Sequence, residues 1–226
     1  MSEHSCRLIV IDGLDGSGKA TQSRLLRERL SAMGYRVKQL TFPDYDSDSS
    51  APVRMYLSGE LGDSADDVNA YAASSFFAVD RIASYIRRWR SDYESCDFLI
   101  ADRYTTSNII HQMSKLDDSE RRSFCDWLFD YEYHRLGIPA PDIVLFLDVD
   151  PAVSQRLIAG RYDGDESKKD IHEKDVSYLL RCRESALWAI AHLSWTVIDC
   201  SADGALKSVD AISDLVFDAL VRAFDV

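Results

Sequence analysis

The chain has 226 residues, 46% of them apolar and 28% charged, and its 26 Lys and Arg against 38 Asp and Glu give a formal net charge of −12. That composition excludes a disordered chain. The acidity excludes a broad nucleic-acid or anionic-membrane surface, which needs a positive field, but leaves room for an anionic small ligand held by a few focused cations. The length suits a single domain over residues 1–226. Cys6, Cys96, Cys125, Cys182 and Cys200 are scattered without a CxxC pair, which reads as small reduced side chains. No apolar stretch approaches the roughly 20 residues of a membrane span. The apolar run near the first residue is too short for a secretory leader, so a cytoplasmic protein without membrane or nucleic-acid partners is expected.

Short apolar runs alternate with longer helical patterns. In chain order, a strand is expected at Arg7–Asp12 and a helix at Lys19–Met33, closed by Gly34 as C-cap. A weaker strand at Tyr35–Phe42 follows, then a helix over Asn69–Arg90 in which Ala72, Phe76, Val79, Ala83 and Ile86 lie on one face. The next elements are a strand at Phe98–Asp102, a helix at Ser119–His134 and a strand at Asp142–Asp148. Asp150 and Pro151 read as N-cap and first residue of a short helix running into Arg156. The polar stretch from Gly160 to Lys174 has the character of a lid, and a helix at Asp175–His192, a strand at Trp195–Asp199 and a helix at Asp203–Phe224 complete the chain. Most of these strands are continuously hydrophobic, as parallel strands covered on both faces are. The alternation therefore predicts an α/β fold in three layers, a five-stranded parallel sheet with helices on both faces and a lid segment. Several strands end in Asp, which gathers carboxylates at the edge of the sheet where ligands bind.

The run Gly13-Leu-Asp-Gly16-Ser17-Gly18-Lys19 follows a strand and opens a helix, matching GxxxxGK in the context that gives the motif meaning. Glycines let backbone N–H groups point inward around phosphate oxygens, the helix N-terminus adds its positive end, and the lysine reaches the transferred phosphoryl group. This is the P-loop of a phosphotransferase, and it predicts the P-loop NTPase fold. Position 20 is Ala20, with Thr21 next, where the usual motif has a hydroxyl for Mg²⁺. The metal is then held by water and by carboxylates elsewhere, for which Asp12 and Asp102 are the candidates. Ala20 also argues against a switch GTPase, and Gly18-Lys-Ala-Thr-Gln22 resembles the variant loop of adenylate-kinase-like enzymes.

Four stretches of this chain together resemble the thymidylate kinase family. They are IDGLDGSGKATQ; Phe42-Pro43 with the later Ser58-Gly-Glu-Leu-Gly62; Phe77-Ala-Val-Asp-Arg81; and Asp102-Arg103-Tyr104 followed by Ser107 and Asn108. The resemblance implies that Asp15 bonds the 3′-hydroxyl of dTMP, that Phe77 lies against thymine, and that Arg81 bonds a base carbonyl. Phe77 and Arg81 are four residues apart and share a helix face. It further implies that Phe42, Asn108 and His111 line the acceptor site, that Arg103 binds the monophosphate, and that Asp102 helps place Mg²⁺. The small Gly16 resembles the bacterial type, in which lid cations assist; Arg161, Lys168 and Lys169 are the lid candidates, with Arg161 foremost, and Arg156 matches the position that stacks on adenine. Gly13, Gly16, Ser17, Gly18, Lys19, Ala20 and Thr21 would hold the ATP phosphates.

The implied reaction is phosphorylation of dTMP to dTDP by Mg·ATP in a homodimer, with Lys19, Arg103 and Arg161 acting on the transferred group. Another pyrimidine monophosphate such as dUMP, or a deoxynucleoside, is the alternative acceptor. A nucleotide-binding regulatory protein without transfer activity is a more distant one. Two positions depart from the family pattern. Asp44 follows Pro43 where relatives often carry a basic residue nearby, for which Arg54 is a substitute candidate, and His111 stands where relatives have Tyr or Phe against the sugar 2′ position.

Overall fold

The computed structural model describes residues 6–149, 153, 171–202, 205–224 and 226. The helix expected from Asp150 and Pro151 to Arg156, and the lid residues Arg161, Lys168 and Lys169, lie outside the described residues. Five strands form one sheet: β1 (Arg7–Gly13), β2 (Val37–Thr41), β3 (Phe98–Asp102), β4 (Ile143–Asp148) and β5 (Thr196–Asp199). Their order is β2-β3-β1-β4-β5, and every pairing is parallel.

Each strand sends alternate side chains to opposite faces, which divides the core in two. Ile9 and Ile11 join Ile100, Leu145 and Leu147 under helices α1 (Lys19–Ala32) and α9 (Val209–Phe224), through Leu26, Leu30, Ile212, Val216 and Leu220. Leu8 and Val10 join Leu99, Ala101 and Phe146 on the other face. That face is covered by α3 (Ala70–Ser84), α5 (Thr106–His111), α6 (Arg121–Phe129) and α8 (Val176–Leu193). The remaining helices are α2 (Ala51–Leu57), α4 (Arg90–Ser95) and the single turn α7 (Ile171–Lys174). The chain leaves β1 into α1 toward one face and leaves β3 into α5 toward the other. The carboxyl ends of these neighbouring strands therefore border a crevice, the place where open α/β sheets bind ligands.

The structure corrects the expected elements at several points. The stripe of Ala72, Phe76, Val79, Ala83 and Ile86 meets the core only in part: Phe76 packs against it, while Val79 is 45% and Ile86 68% exposed. The fully buried positions of α3 are Ala70, Ala73, Ser74, Ala78, Asp80, Arg81 and Ser84, small residues plus a hydrogen-bonded carboxylate and an ion-paired arginine. A hydrophobicity pattern ranks such residues below the larger ones opposite. The helix also ends at Ser84 and passes through a π-helical turn, Tyr85–Trp89, into α4. A second π-helical turn, Asp130–Arg135, follows α6 in place of a regular end to the expected Ser119–His134 helix. The last helix starts at Val209, because Ser201–Ala202 and Ala205–Leu206 pair as a short antiparallel ribbon before it. α5 went unread because Thr106, Ser107 and Asn108 favour caps and turns over helix interiors. The motif Ser58-Gly-Glu-Leu-Gly62 directly follows α2.

Leu30 is wholly buried between α1 and the sheet. Leu30→Ala should lower the free energy of unfolding by about 2–5 kcal/mol, read as a fall in the urea midpoint at unchanged slope. A loss below about 1 kcal/mol would show that this layer is not close-packed.

Candidate active site

The phosphate loop runs from the buried end of β1 to the first turn of α1. A Cβ on Gly13 would come within 2.7 Å of Ser17 Oγ and 2.9 Å of the Leu147 carbonyl, so only glycine fits where the loop crosses β4. Gly18 caps α1 at φ +88°, a conformation that favours glycine. Lys19 is buried, and its ammonium donates to the carbonyls of Gly13 (3.0 Å) and Leu14 (2.8 Å). Burial first, and Arg103 second, bring the Lys19 pKa down to about 8, against the pull of Asp15, Asp102 and Asp12. Ser17 Oγ is buried and has no partner among the described residues. A tight cradle with an unpartnered hydroxyl and a buried cation fits a bound phosphate chain. Ala20 is exposed and Thr21 half-buried on the outer side of the same turn.

Arg103 is the centre of the crevice. It sits just after β3 with φ +66°, a strained backbone for a non-glycine residue. Its N–H is anchored on the Ile11 carbonyl of β1 at 3.1 Å. Its guanidinium donates to the Asp15 carboxylate and, at 3.1 Å, to His111 Nε2. Asp15 of the phosphate loop and Arg103 of the β3 loop are thus joined as a largely buried ion pair. Burial would raise the Asp15 carboxyl, but Arg103 and then Lys19 outweigh it and hold it well below the usual carboxylate range. Because Arg103 only donates, His111 Nε2 must accept, which leaves the proton of the neutral ring on Nδ1, 3.6 Å from Cys182 Sγ. Burial and the adjacent guanidinium keep this imidazole neutral far below its ordinary pKa. It stacks on His172 of α7 at 5.4 Å, whose own pKa burial depresses to about 3.

Farther along the crevice, Phe77 and Arg81 share one side of α3, and Asn108 comes from α5. Phe77 is half-buried and meets Tyr56 edge-on at 6.3 Å. Arg81 is 2% exposed and forms a bidentate pair with Glu132, both bonds 2.6 Å. Glu132 carried no signal in the sequence, where it is one of many acidic residues in a helical stretch; the π-helical turn puts it inside. Phe42 is buried among Trp89 and Tyr104, in the aromatic core beneath the crevice. The peptide between Phe42 and Pro43 is cis.

The two metal candidates differ. Asp12 is wholly buried, and its oxygens accept from the Gly13 N–H and from the hydroxyls of Thr106 and Ser107, which pins the start of α5 to β1. Asp102 lies beside Lys19, and no described residue donates to its carboxylate. Burial raises its pKa, with Lys19 and Arg103 opposing. No group of three or more His, Cys, Asp or Glu side chains converges among the described residues. That fits Mg²⁺, which is held by one or two carboxylates, phosphate oxygens and water.

Of the departures, Asp44 is paired with Arg88 from the π-helical turn after α3, and its N–H donates to Asp80 at 2.8 Å. Arg54 is engaged by its own loop. Its Nη1 donates to the carbonyls of Tyr45 (3.1 Å) and Ser47 (2.9 Å) and to Ser50 Oγ (2.6 Å), which closes the loop before α2. A cation beside the Phe-Pro element therefore comes from Arg88.

Known proteins give the same picture. The sequence model of the family described as thymidylate kinase matches residues 11–211. A thymidylate kinase of Mycobacterium tuberculosis is 32% identical over 191 residues, covering 83% of this chain and 87% of that protein. The human thymidylate kinase is 27% identical over 207 residues, covering 92% and 86%. In solved structures the fold is that of a thymidylate kinase from Candida albicans, with TM-score 0.68, 21% identity and 96% and 92% of the two chains covered. One from Ehrlichia chaffeensis has TM-score 0.66, 22% identity and coverages of 96% and 99%. With the phosphate loop, the Arg103 crevice and these matches spanning most of its length, the chain belongs to the thymidylate kinase family of nucleoside-monophosphate kinases.

Proposed function

We propose that this chain transfers the γ-phosphoryl group of Mg·ATP in line to the 5′-phosphate of dTMP, giving dTDP and ADP. The observation that carries the reading is the Asp15–Arg103 pair, which ties the donor loop to an arginine at the acceptor side. Such a transfer spreads negative charge over three equatorial oxygens, so positioned cations do most of the work. Lys19 would leave its loop carbonyls for the transferred group, and Arg103 would exchange part of its pairing for the acceptor phosphate. Asp102 and Asp12 are the carboxylates that would hold Mg²⁺, whose charge would offset that of the donor phosphates. Arg156, before the lid, would meet adenine, and Arg161 would meet the transferred group from the lid. The acceptor is already largely ionised, since the second pKa of a phosphate monoester is about 6, so no base is required. Asp15, held far below the carboxylate range, is a poor base for a nucleoside hydroxyl, which favours a monophosphate over a deoxynucleoside.

Release of ADP against a panel of dTMP, dUMP, other pyrimidine monophosphates and thymidine tests the assignment. dTMP should lead, and ATP binding without acceptor-dependent turnover would overturn it. Lys19→Ala should lower kcat about 10³-fold, the scale of a lost transition-state charge contact, with the circular dichroism spectrum unchanged; near-normal turnover would remove Lys19 from the chemistry. Since the free enzyme's Lys19 loses its proton at about 8, kcat/KM for ATP should fall as pH rises through that value. kcat should hold to higher pH, because bound phosphates favour the cation. A flat kcat/KM profile from pH 7 to 9 would contradict this.

The outward stripe of α3, with Val79 and Ile86 exposed, supports a homodimer. Among the described residues no helix is long and apolar enough to cross a membrane, which accords with a cytoplasmic location. Ile86→Glu, at a position too exposed to disturb the core, should convert a sedimenting dimer to monomer; an unchanged dimer would move the interface elsewhere.

A further inference from the structure

Glu132 is wholly buried, and a carboxylate in that setting is costly unless its oxygens are met by donors. All of its donors come from the elements that line the acceptor side of the crevice. Oε2 accepts from Arg81 Nε (2.6 Å) and Thr105 Oγ1 (2.8 Å). Oε1 accepts from Arg81 Nη2 (2.6 Å) and Asn108 Nδ2 (3.4 Å). One side chain thus ties together α3, the loop after β3 and α5. A buried ion pair is weak as a source of stability, since an apolar pair of the same shape does as well or better. Its effect on the two partners' hydrogen-bonding groups is more specific.

Engaging Nε and one N–H of Nη2 leaves the second N–H of Nη2 and those of Nη1 as the remaining donor capacity of Arg81; the described contact of Nη1 is a long one, 3.5 Å, to the Tyr104 carbonyl. For Asn108 the consequence is orientation. A carboxylate only accepts, so the amide must turn its NH₂ toward Glu132. The second N–H of that group goes to the Ser74 carbonyl at 3.4 Å. Asn108 Oδ1 is then left as an acceptor, and no described residue donates to it. Both side chains bond the same oxygen of Glu132, so one carboxylate fixes the donors of Arg81 and the acceptor end of the Asn108 amide together. A 4-oxopyrimidine presents the complement of that pair, an accepting O4 and a donating N3–H. A 4-aminopyrimidine presents the reverse and is mismatched at both atoms.

We propose that Glu132 is the positioning residue that sets acceptor-base selectivity, by orienting Arg81 and Asn108 to take 4-oxopyrimidine and reject 4-aminopyrimidine monophosphates. It rests on the reading that the acceptor base lies against Phe77, Arg81 and Asn108. The informative pair of acceptors is dTMP and 5-methyl-dCMP, which differ only at that edge of the ring.

In the full-length chain, Glu132→Gln keeps the shape but removes the charge and lets the Asn108 amide turn over. Its KM for dTMP should rise about tenfold or more while KM for ATP stays within about twofold, the signature of lost acceptor binding. Its preference for dTMP over 5-methyl-dCMP should fall by about tenfold or more, since an edge-matched polar site discriminates through groups left unpaired. Glu132→Asp, which keeps the charge, should recover part of that preference. Equal losses toward both acceptors and ATP at unchanged preference would make Glu132 a scaffold residue and overturn the proposal.

Should Glu132→Gln fail to fold by circular dichroism, the wild type decides. A kcat/KM for dTMP about 10²-fold or more above that for 5-methyl-dCMP supports the edge-matched site, and a smaller ratio overturns it. A wild type inactive toward dTMP overturns the functional reading along with this one. An active wild type with unaltered selectivity in the variant overturns this one alone.

Discussion

The pairing of Arg103 with Asp15 and His111 is the interaction on which the rest of the site depends. Arg103 holds a left-handed backbone conformation at the end of β3, with its N–H bonded to the Ile11 carbonyl of β1. A strained residue of this kind costs about 1–3 kcal/mol and persists only where its surroundings over-determine it. Here they do: an ion pair to the phosphate loop on one side and a neutral imidazole on the other fix the guanidinium in the crevice. The phosphate loop and the loop after β3 are therefore joined as one electrostatic unit, the kind of preorganisation that charge-stabilising catalysis requires.

His111 extends that unit away from the phosphates. Its backbone carbonyl accepts from the Tyr178 hydroxyl of α8, and its ring stacks on His172. His172 in turn bonds the Tyr56 hydroxyl at 2.8 Å, which also receives the ammonium of Lys115. Burial keeps both imidazoles neutral and brings Lys115 down to about 8. The network is thus built from neutral hydrogen-bonding groups around a few paired charges, and it connects α7, at the edge of the lid segment, to the arginine at the centre of the crevice. His111 is accommodated because both of its ring nitrogens have partners. A tyrosine or phenylalanine at 111 would leave Arg103 without an acceptor ring nitrogen.

The two π-helical turns have a comparable role. Each interrupts a helix on the acceptor face and turns one functional side chain: Arg88 onto Asp44 after α3, and Glu132 onto Arg81 after α6. Such turns are rare, and they occur often at functional sites because they re-aim side chains that a regular helix would send elsewhere. The pairing of Arg88 with Asp44 and the fixed orientation of Arg81 both accompany this change of helical phase.

The amino-acid sequence alone determined the local chemistry. GxxxxGK between a strand and a helix has few physical uses, and continuous apolar runs demand a covered parallel sheet, so the phosphate loop and the layered fold were legible from order and spacing. Arg103, Asp15 and Asn108 were legible as a resemblance, because short motifs keep their residues close in the chain. Only the tertiary structure decided what depends on partners distant in sequence. Glu132 meets Arg81 across 51 positions and Arg103 meets Asp15 across 88, separations that no periodicity encodes. Which face of α3 is buried is left undecided by its apolar pattern for the same reason. Its buried face is made acceptable by a carboxylate from another helix, and a hydrophobic pattern does not register a charge that has been neutralised in three dimensions.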